Sequence, residues 1–226
     1  GLAVGNGYGG LEHRASSSLM FCRDDLPKNG QAGVSKDYQR FLSLCSHEYF
    51  HACNVKRIKP KAFIPYRLDQ RTHTQLMWVF EGITSYYQDL MLLRSKLINT
   101  DEYLVRLGQL LTRVYRSPGR FTQSLADASF DAWDKLYKPD VNSRNATISY
   151  YSKGALVALA LDLTLRKESS STLDQIMQVL WERFGHNEVG LAEDEFEILS
   201  QEISGLNLTD FFDTSIRGTK DIPLQP

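Results

Sequence analysis

A mainly α fold with a small β or irregular element at its start follows from three features of the sequence. After Ser35, apolar residues recur at three- and four-residue steps through most of the chain, the period of a helix with one buried stripe. Gly and Ser crowd the segment from Gly1 to Asn29, where short apolar pieces such as Ser18-Leu19-Met20-Phe21-Cys22 suit edge strands or irregular backbone better than helix. A chain of 226 residues that is 42% hydrophobic can bury one large core or two small ones, so these helices have something to pack around.

The first helix is expected from Ser35 to near Asn54, with Tyr38, Phe41, Leu42, Cys45 and Tyr49 along its stripe. Val55 to Arg71 carries Pro60 and Pro65 and reads as an extended connection, its basic run Lys56–Lys61 a solvated loop. Thr74 to Lys96 is apolar on most sides and predicts a buried helix. Thr100, with Asp101 and Glu102 in the following turn, is the expected N-cap of the next helix, which stops at Ser117-Pro118-Gly119. Further helices are predicted at about Thr122 to Tyr137, Thr147 to Lys167, Thr172 to Phe184 with Gly185 as cap, and Leu191 to Ile203. No internal repeat or low-complexity tract interrupts them. The expected organisation is one region over 1–226, divided into an opening edge segment (1–34), a pair of helices (35–96) and a helical subdomain (97–226).

A formal net charge of −1, from 26 basic and 27 acidic residues, offers no positive excess to neutralise a phosphate backbone, so no nucleic-acid partner is expected. No window approaches the roughly 20 apolar residues that span a bilayer. The richest stretch, Gly154 to Leu165, is shorter and contains Asp162, so no transmembrane segment is expected. Cys22, Cys45 and Cys53 are odd in number, which argues against a disulfide framework and favours a cytoplasmic over a periplasmic or secreted setting. With no secretory leader in view, Asn145-Ala146-Thr147 and Asn207-Leu208-Thr209 read as ordinary polar residues rather than glycosylation sites. Oligomeric state leaves no mark in the sequence.

The chemistry concentrates in His47-Glu48-Tyr49-Phe50-His51. Two imidazoles four residues apart stand about one helical turn from each other and can reach one ion from one face, with Glu48 beside them. Zn²⁺ accepts neutral imidazole and carboxylate, and a catalytic zinc takes three protein ligands and keeps a position for water. Glu81 is the expected third ligand. It sits in Trp78-Val79-Phe80-Glu81-Gly82, where a lone carboxylate is costly to bury without a partner. His13, His73, His186 and Cys53 are its rivals. A metzincin would place Gly three residues and His six residues after His51; Asn54 and Arg57 stand there, which excludes that class.

Several blocks together resemble the glycyl aminopeptidases, gluzincin metallopeptidases related more distantly to aminopeptidase N and leukotriene A4 hydrolase. Gly9-Gly10-Leu11-Glu12-His13 is similar to the family's substrate-anchoring motif, His47 to Pro60 to its zinc motif, and Trp78 to Leu90 to its third-ligand helix. Tyr150-Tyr151-Ser152-Lys153-Gly154-Ala155 resembles the segment that carries a tyrosine facing the scissile carbonyl. The resemblance implies a thermolysin-like (zincin) catalytic domain with one Zn²⁺ on His47, His51 and Glu81. Glu48 is then the general base and Tyr151, with Tyr150 as the neighbouring alternative, the oxyanion donor. It further implies that Glu12 and Gly10 bind the substrate and that Glu12 receives its free α-amine. A peptide with a small first residue, Gly or Ala, is the implied substrate. An epoxide-type substrate on the same zinc triad, or a non-catalytic peptide-binding module, are the alternative functions. The family has an aromatic residue just after the second zinc histidine, where Ala52-Cys53-Asn54 stand here. Its full-length members also look to carry a β-rich domain before this region and a PDZ-like domain after it, neither of which is visible in the chain.

Overall fold

Three short strands open the chain in the computed structural model, which describes residues 2–4, 7–30 and 33–222. Expectations for Gly1, Gly5, Asn6, Gln31 and Ala32 in the opening segment, and for residues 223–226 at the end, lie outside those residues. β3 (Ser17–Cys22) is the centre of the sheet: β1 (Leu2–Val4) pairs with it in parallel and β2 (Gly9–Glu12) antiparallel, with Glu12 opposite Ser17. β2 therefore forms one edge, lying against the first helix.

That helix, α1 (Lys36–Phe50), starts where its cap predicts, with Ser35 Oγ accepting the Tyr38 amide hydrogen at 3.1 Å. It stops at Phe50 instead of reaching Asn54. Asn54 is fully buried and its side-chain amide lies 3.0–3.1 Å from Val79 O, Phe80 O and Thr84 Oγ1, contacts that a straight helix would carry past. The predicted helix over 74–96 begins later, as a five-residue π turn, Trp78–Gly82, followed by α2 (Ile83–Arg94). α3 (Thr100–Tyr115) is capped by Asn99 rather than Thr100: Asn99 Oδ1 accepts the Glu102 amide and the Glu102 carboxylate accepts the Asn99 amide.

Beyond α3 the helices are shorter than their periodicity suggests. The expected 122–137 helix divides into α4 (Leu125–Phe130) and a π turn, Ala132–Leu136. A further short helix, α5 (Ser143–Ala146), precedes α6 (Ser152–Glu168), which starts after Thr147, a residue in extended backbone packed closely on Gly119. α7 (Leu173–Leu180) opens on a Thr172–Gln175 capping box and ends in a π turn, Trp181–Gly185. Gly185 is not its cap; the missing Cβ leaves room for the Trp181 ring and the Ile58 side chain. α8 (Glu195–Ser204) ends at Gly205 in the left-handed region, φ 71°. α9 (Thr209–Phe212) and a π turn, Asp213–Arg217, are the last helical elements among the described residues.

The fold is mainly α, as predicted. α1 packs along α2, and α2 with its preceding turn packs along α6, around a core that includes Trp78, Phe80, Ile83, Leu161 and Phe196. One contact sets the spacing: a Cβ at Gly82 would come within 2.6 Å of the Gly154 Cα. Two glycines thus let the turn that carries Glu81 lie directly on the first turn of α6, the turn that follows Tyr151.

Candidate metal centre

His47 near the end of α1, His51 at its C-cap and Glu81 in the π turn converge on one point. His47 Nε2 and His51 Nε2 are 3.0 Å apart, and Glu81 Oε2 lies 3.3 Å and 3.1 Å from them. His51 and Glu81 are buried and His47 is nearly so. The outer ring nitrogens show which lone pairs face inward. His47 Nδ1 donates to Gln88 Oε1 at 2.8 Å, and His51 Nδ1 donates to the Asn54 carbonyl at 2.9 Å. In the neutral imidazoles both Nε2 atoms are then acceptors aimed at a carboxylate oxygen. Three acceptors at such separations need a shared cation.

The electrostatics agree with that reading. Without a metal, a proton takes the place of that cation: burial pushes the Glu81 carboxyl up, but N–H donation and positive charge at the two imidazoles outweigh it and bring it down to about 2. Burial pulls the His51 imidazole down, yet the Glu81 carboxylate overcomes this and raises it. The cluster attracts positive charge, and its two imidazoles and carboxylate form a donor set that can hold a divalent metal ion.

Glu48 lies beside the cluster, 5% exposed, with Oε2 buried and without a hydrogen-bond partner among the described residues. Burial raises its carboxyl above the ordinary carboxylate range, His47 and His51 partly offset this, and the Glu12 and Glu81 charges add to it. Gly10 of β2 is packed onto this side chain so closely that any Cβ would overlap the Glu48 carboxyl. Glu12, two residues along the same edge, is half-buried and ion-paired with Lys56 Nζ at 2.9 Å, so Lys56 is not part of a freely solvated loop. The two candidate tyrosines are stacked on each other, ring centroids 4.9 Å apart. Tyr151 lies against His47, ring centroids 6.2 Å apart, with its hydroxyl 3.5 Å from that of Tyr137. Tyr150 is fully buried in the core.

The rival ligands stay away. His13 is exposed and bonded to Ser16, His73 bonds the Phe130 carbonyl, His186 is exposed near Trp181, and Cys53 is exposed. Among the described residues His47, His51 and Glu81 are the one such metal-competent group. Gln88 and Asn54, which orient the two imidazoles, were not foreseen as site residues. Gln88 follows Glu81 by seven residues, two helical turns, a spacing that pointed to it once Glu81 was chosen.

Two imidazoles and a carboxylate drawn together from α1 and the turn before α2, with a second glutamate buried beside them, form a group that can hold a metal ion next to a second carboxylate. A sequence model described as M61 glycyl aminopeptidase matches residues 40–157, just over half the chain and the whole of this cluster. The chain belongs to that family. It is also similar to the crystal structure of an aminopeptidase N family protein from Idiomarina loihiensis, at 42% identity and a TM-score of 0.94. The match covers 98% of this chain and 38% of that one, so the chain spans about two fifths of the solved protein's length. No curated protein matches it. Among the described residues no helix is long and apolar enough to cross a membrane.

Proposed function

We propose that this chain is the catalytic region of a zinc-dependent aminopeptidase that removes a small first residue, Gly or Ala, from peptides. The observation that carries the reading is the convergence of His47 Nε2, His51 Nε2 and Glu81 Oε2 within 3.0–3.3 Å, with both outer ring nitrogens tied to acceptors. One Zn²⁺ per chain is held by these three residues. When bound, zinc supplies Lewis-acid polarisation of the scissile carbonyl and lowers the pKa of the attacking water toward about 7.

Glu48 takes a proton from that water and passes it to the leaving amine, a shuttle suited to a carboxyl whose affinity for protons is raised by burial. Its burial beside the cluster with a carboxyl raised above the ordinary range supports a catalytic role over a passive binding module. Tyr151, beside His47, donates its hydroxyl hydrogen to the oxyanion, an interaction worth a few kcal/mol when preorganised. Glu12 accepts the substrate's α-ammonium and so restricts cleavage to the N-terminus. Gly10 keeps the β2 edge close to Glu48. Membership of the glycyl aminopeptidase family supports the small first residue.

The test is elemental analysis of wild type and Glu81→Ala after dialysis against trace zinc, followed by hydrolysis of a Gly-linked reporter and its N-acetylated form. One zinc per chain, lost in the variant, and cleavage of the free-amine reporter alone are expected. Equal zinc in both proteins would remove Glu81 as ligand. Zinc binding with no hydrolysis of either reporter would instead support another substrate class.

A further inference from the structure

The turn after the second histidine holds costly backbone. Of the described non-glycine residues with positive φ, only Val55, at 97°, is β-branched, a conformation such residues adopt only when their surroundings impose it. Here they do. The Val55 amide donates to Ile58 O at 2.8 Å, the Lys56 amide to His51 O at 3.2 Å, and the Asn54 side chain is locked under α2. Strain of this kind gathers at functional sites. Its effect in this one is to bring the chain back toward β2, so that Lys56 Nζ meets Glu12 Oε1 at 2.9 Å.

The pair is not needed to hold the strand. β2 is fixed by its register with β3 from Gly9 opposite Met20 to Glu12 opposite Ser17. What Lys56 fixes is the carboxylate. Without it Glu12 would be an unpaired acidic side chain beside Glu48, whose carboxyl its charge already raises, and repulsion would turn it outward. A carboxylate offers lone pairs on both oxygens, so one oxygen can keep the lysine while the other takes a second ammonium.

We propose that Lys56 is a positioning residue for the substrate's N-terminus: it holds Glu12 by Oε1 and so presents Oε2 to the incoming α-ammonium. This rests on the reading of Glu12 as the amine anchor. The strained turn at Val55 is the device that aims the lysine.

The experiment measures KM and kcat for a free-amine Gly-linked reporter with full-length wild type, Lys56→Met, Lys56→Arg and Glu12→Gln, each checked for zinc content and helical circular dichroism. Lys56→Met is expected to raise KM about tenfold with kcat within about twofold, since only the orientation of a charge-assisted contact is lost. Lys56→Arg, which keeps the pair, should restore most of the affinity. If Lys56→Met does not fold, Lys56→Gln is read in the same way. A raised KM in Glu12→Gln beside an unchanged KM in Lys56→Met overturns the role of Lys56 and leaves the anchor standing. A lowered KM in Lys56→Met overturns it too, since the lysine would then compete with the substrate amine. An unchanged KM in Glu12→Gln removes the anchor, and this inference with it.

Discussion

Asn54 holds His51 through its own backbone, its carbonyl accepting the Nδ1 hydrogen at 2.9 Å while its side-chain amide reaches Val79 O, Phe80 O and Thr84 Oγ1. A loop carbonyl thus orients an imidazole with the rigidity of the helix beneath it. Asn54→Ala leaves the carbonyl in place and releases the turn that positions it. The expected loss is about 2 kcal/mol of stability from the stranded buried carbonyls, read by denaturant titration of the metal-free protein. Zinc affinity should fall about ten- to a hundredfold in chelator competition. Unchanged affinity would mean that the turn keeps its shape without the amide.

Gln88 plays the corresponding part for His47 from the α2 side, with a neutral amide oxygen at 2.8 Å. Gln88→Leu leaves Nδ1 without an acceptor and the ring free to adopt the other tautomer, so zinc affinity should fall about ten- to a hundredfold. Gln88→Glu keeps an acceptor and should keep the affinity. Loss in both variants would point to the shape of the amide rather than to its oxygen.

The centre was legible in the sequence where its logic is local. His47 and His51 are one turn apart, and Glu81 stands out as a lone carboxylate in an apolar helix. Both signals survive any detail of packing. What was not legible depends on contacts far apart in the chain: the Lys56–Glu12 pair, and the reach of Asn54 to α2 that ends α1 at Phe50. Hydrophobic period also says which face is buried, not whether a turn closes with the α or the wider π spacing. For that reason the winding of Trp78–Gly82 and the division of the 122–137 helix could not be foreseen. Asn99 and Thr100 are both competent caps, and only the reciprocal bond with Glu102 decides between them.

Gly154 is a place where one methyl group should be felt at the site. A Cβ there would lie 2.9 Å from the Gly82 Cα and 3.3 Å from the Trp78 Cβ, both in the turn that carries Glu81. Gly154→Ala must push α6 from that turn, at an expected cost of about 1–3 kcal/mol in urea unfolding. The same displacement separates Tyr151 from the cluster, so kcat should fall by more than KM changes. Wild-type stability in the variant would show that the two elements can part freely.

Glu48 should trade stability against activity, and pH distinguishes the reason. Burial raises its carboxyl above the ordinary value near 4.5, with Glu12 and Glu81 adding and the two histidines partly offsetting. For a carboxyl whose pKa is higher in the folded state, the unfolded chain ionises first as pH rises. Stability is therefore lost from about pH 4.5 up to the raised value and stays lost above it. Glu48→Gln removes that ionisation. In the metal-free protein at about pH 7.5 the variant should be more stable by about 1 kcal/mol or more, because the buried charge with its partnerless oxygen is gone. At about pH 3.5, where Glu48 is protonated in both states, the gain should vanish. Hydrolysis by the zinc-loaded variant should fall about a thousandfold, the usual scale for a lost general base. Paired urea titrations at the two pH values separate the explanations: an equal gain at both would assign it to packing around the amide, whereas a gain confined to the higher pH assigns it to the charge the site keeps for proton transfer.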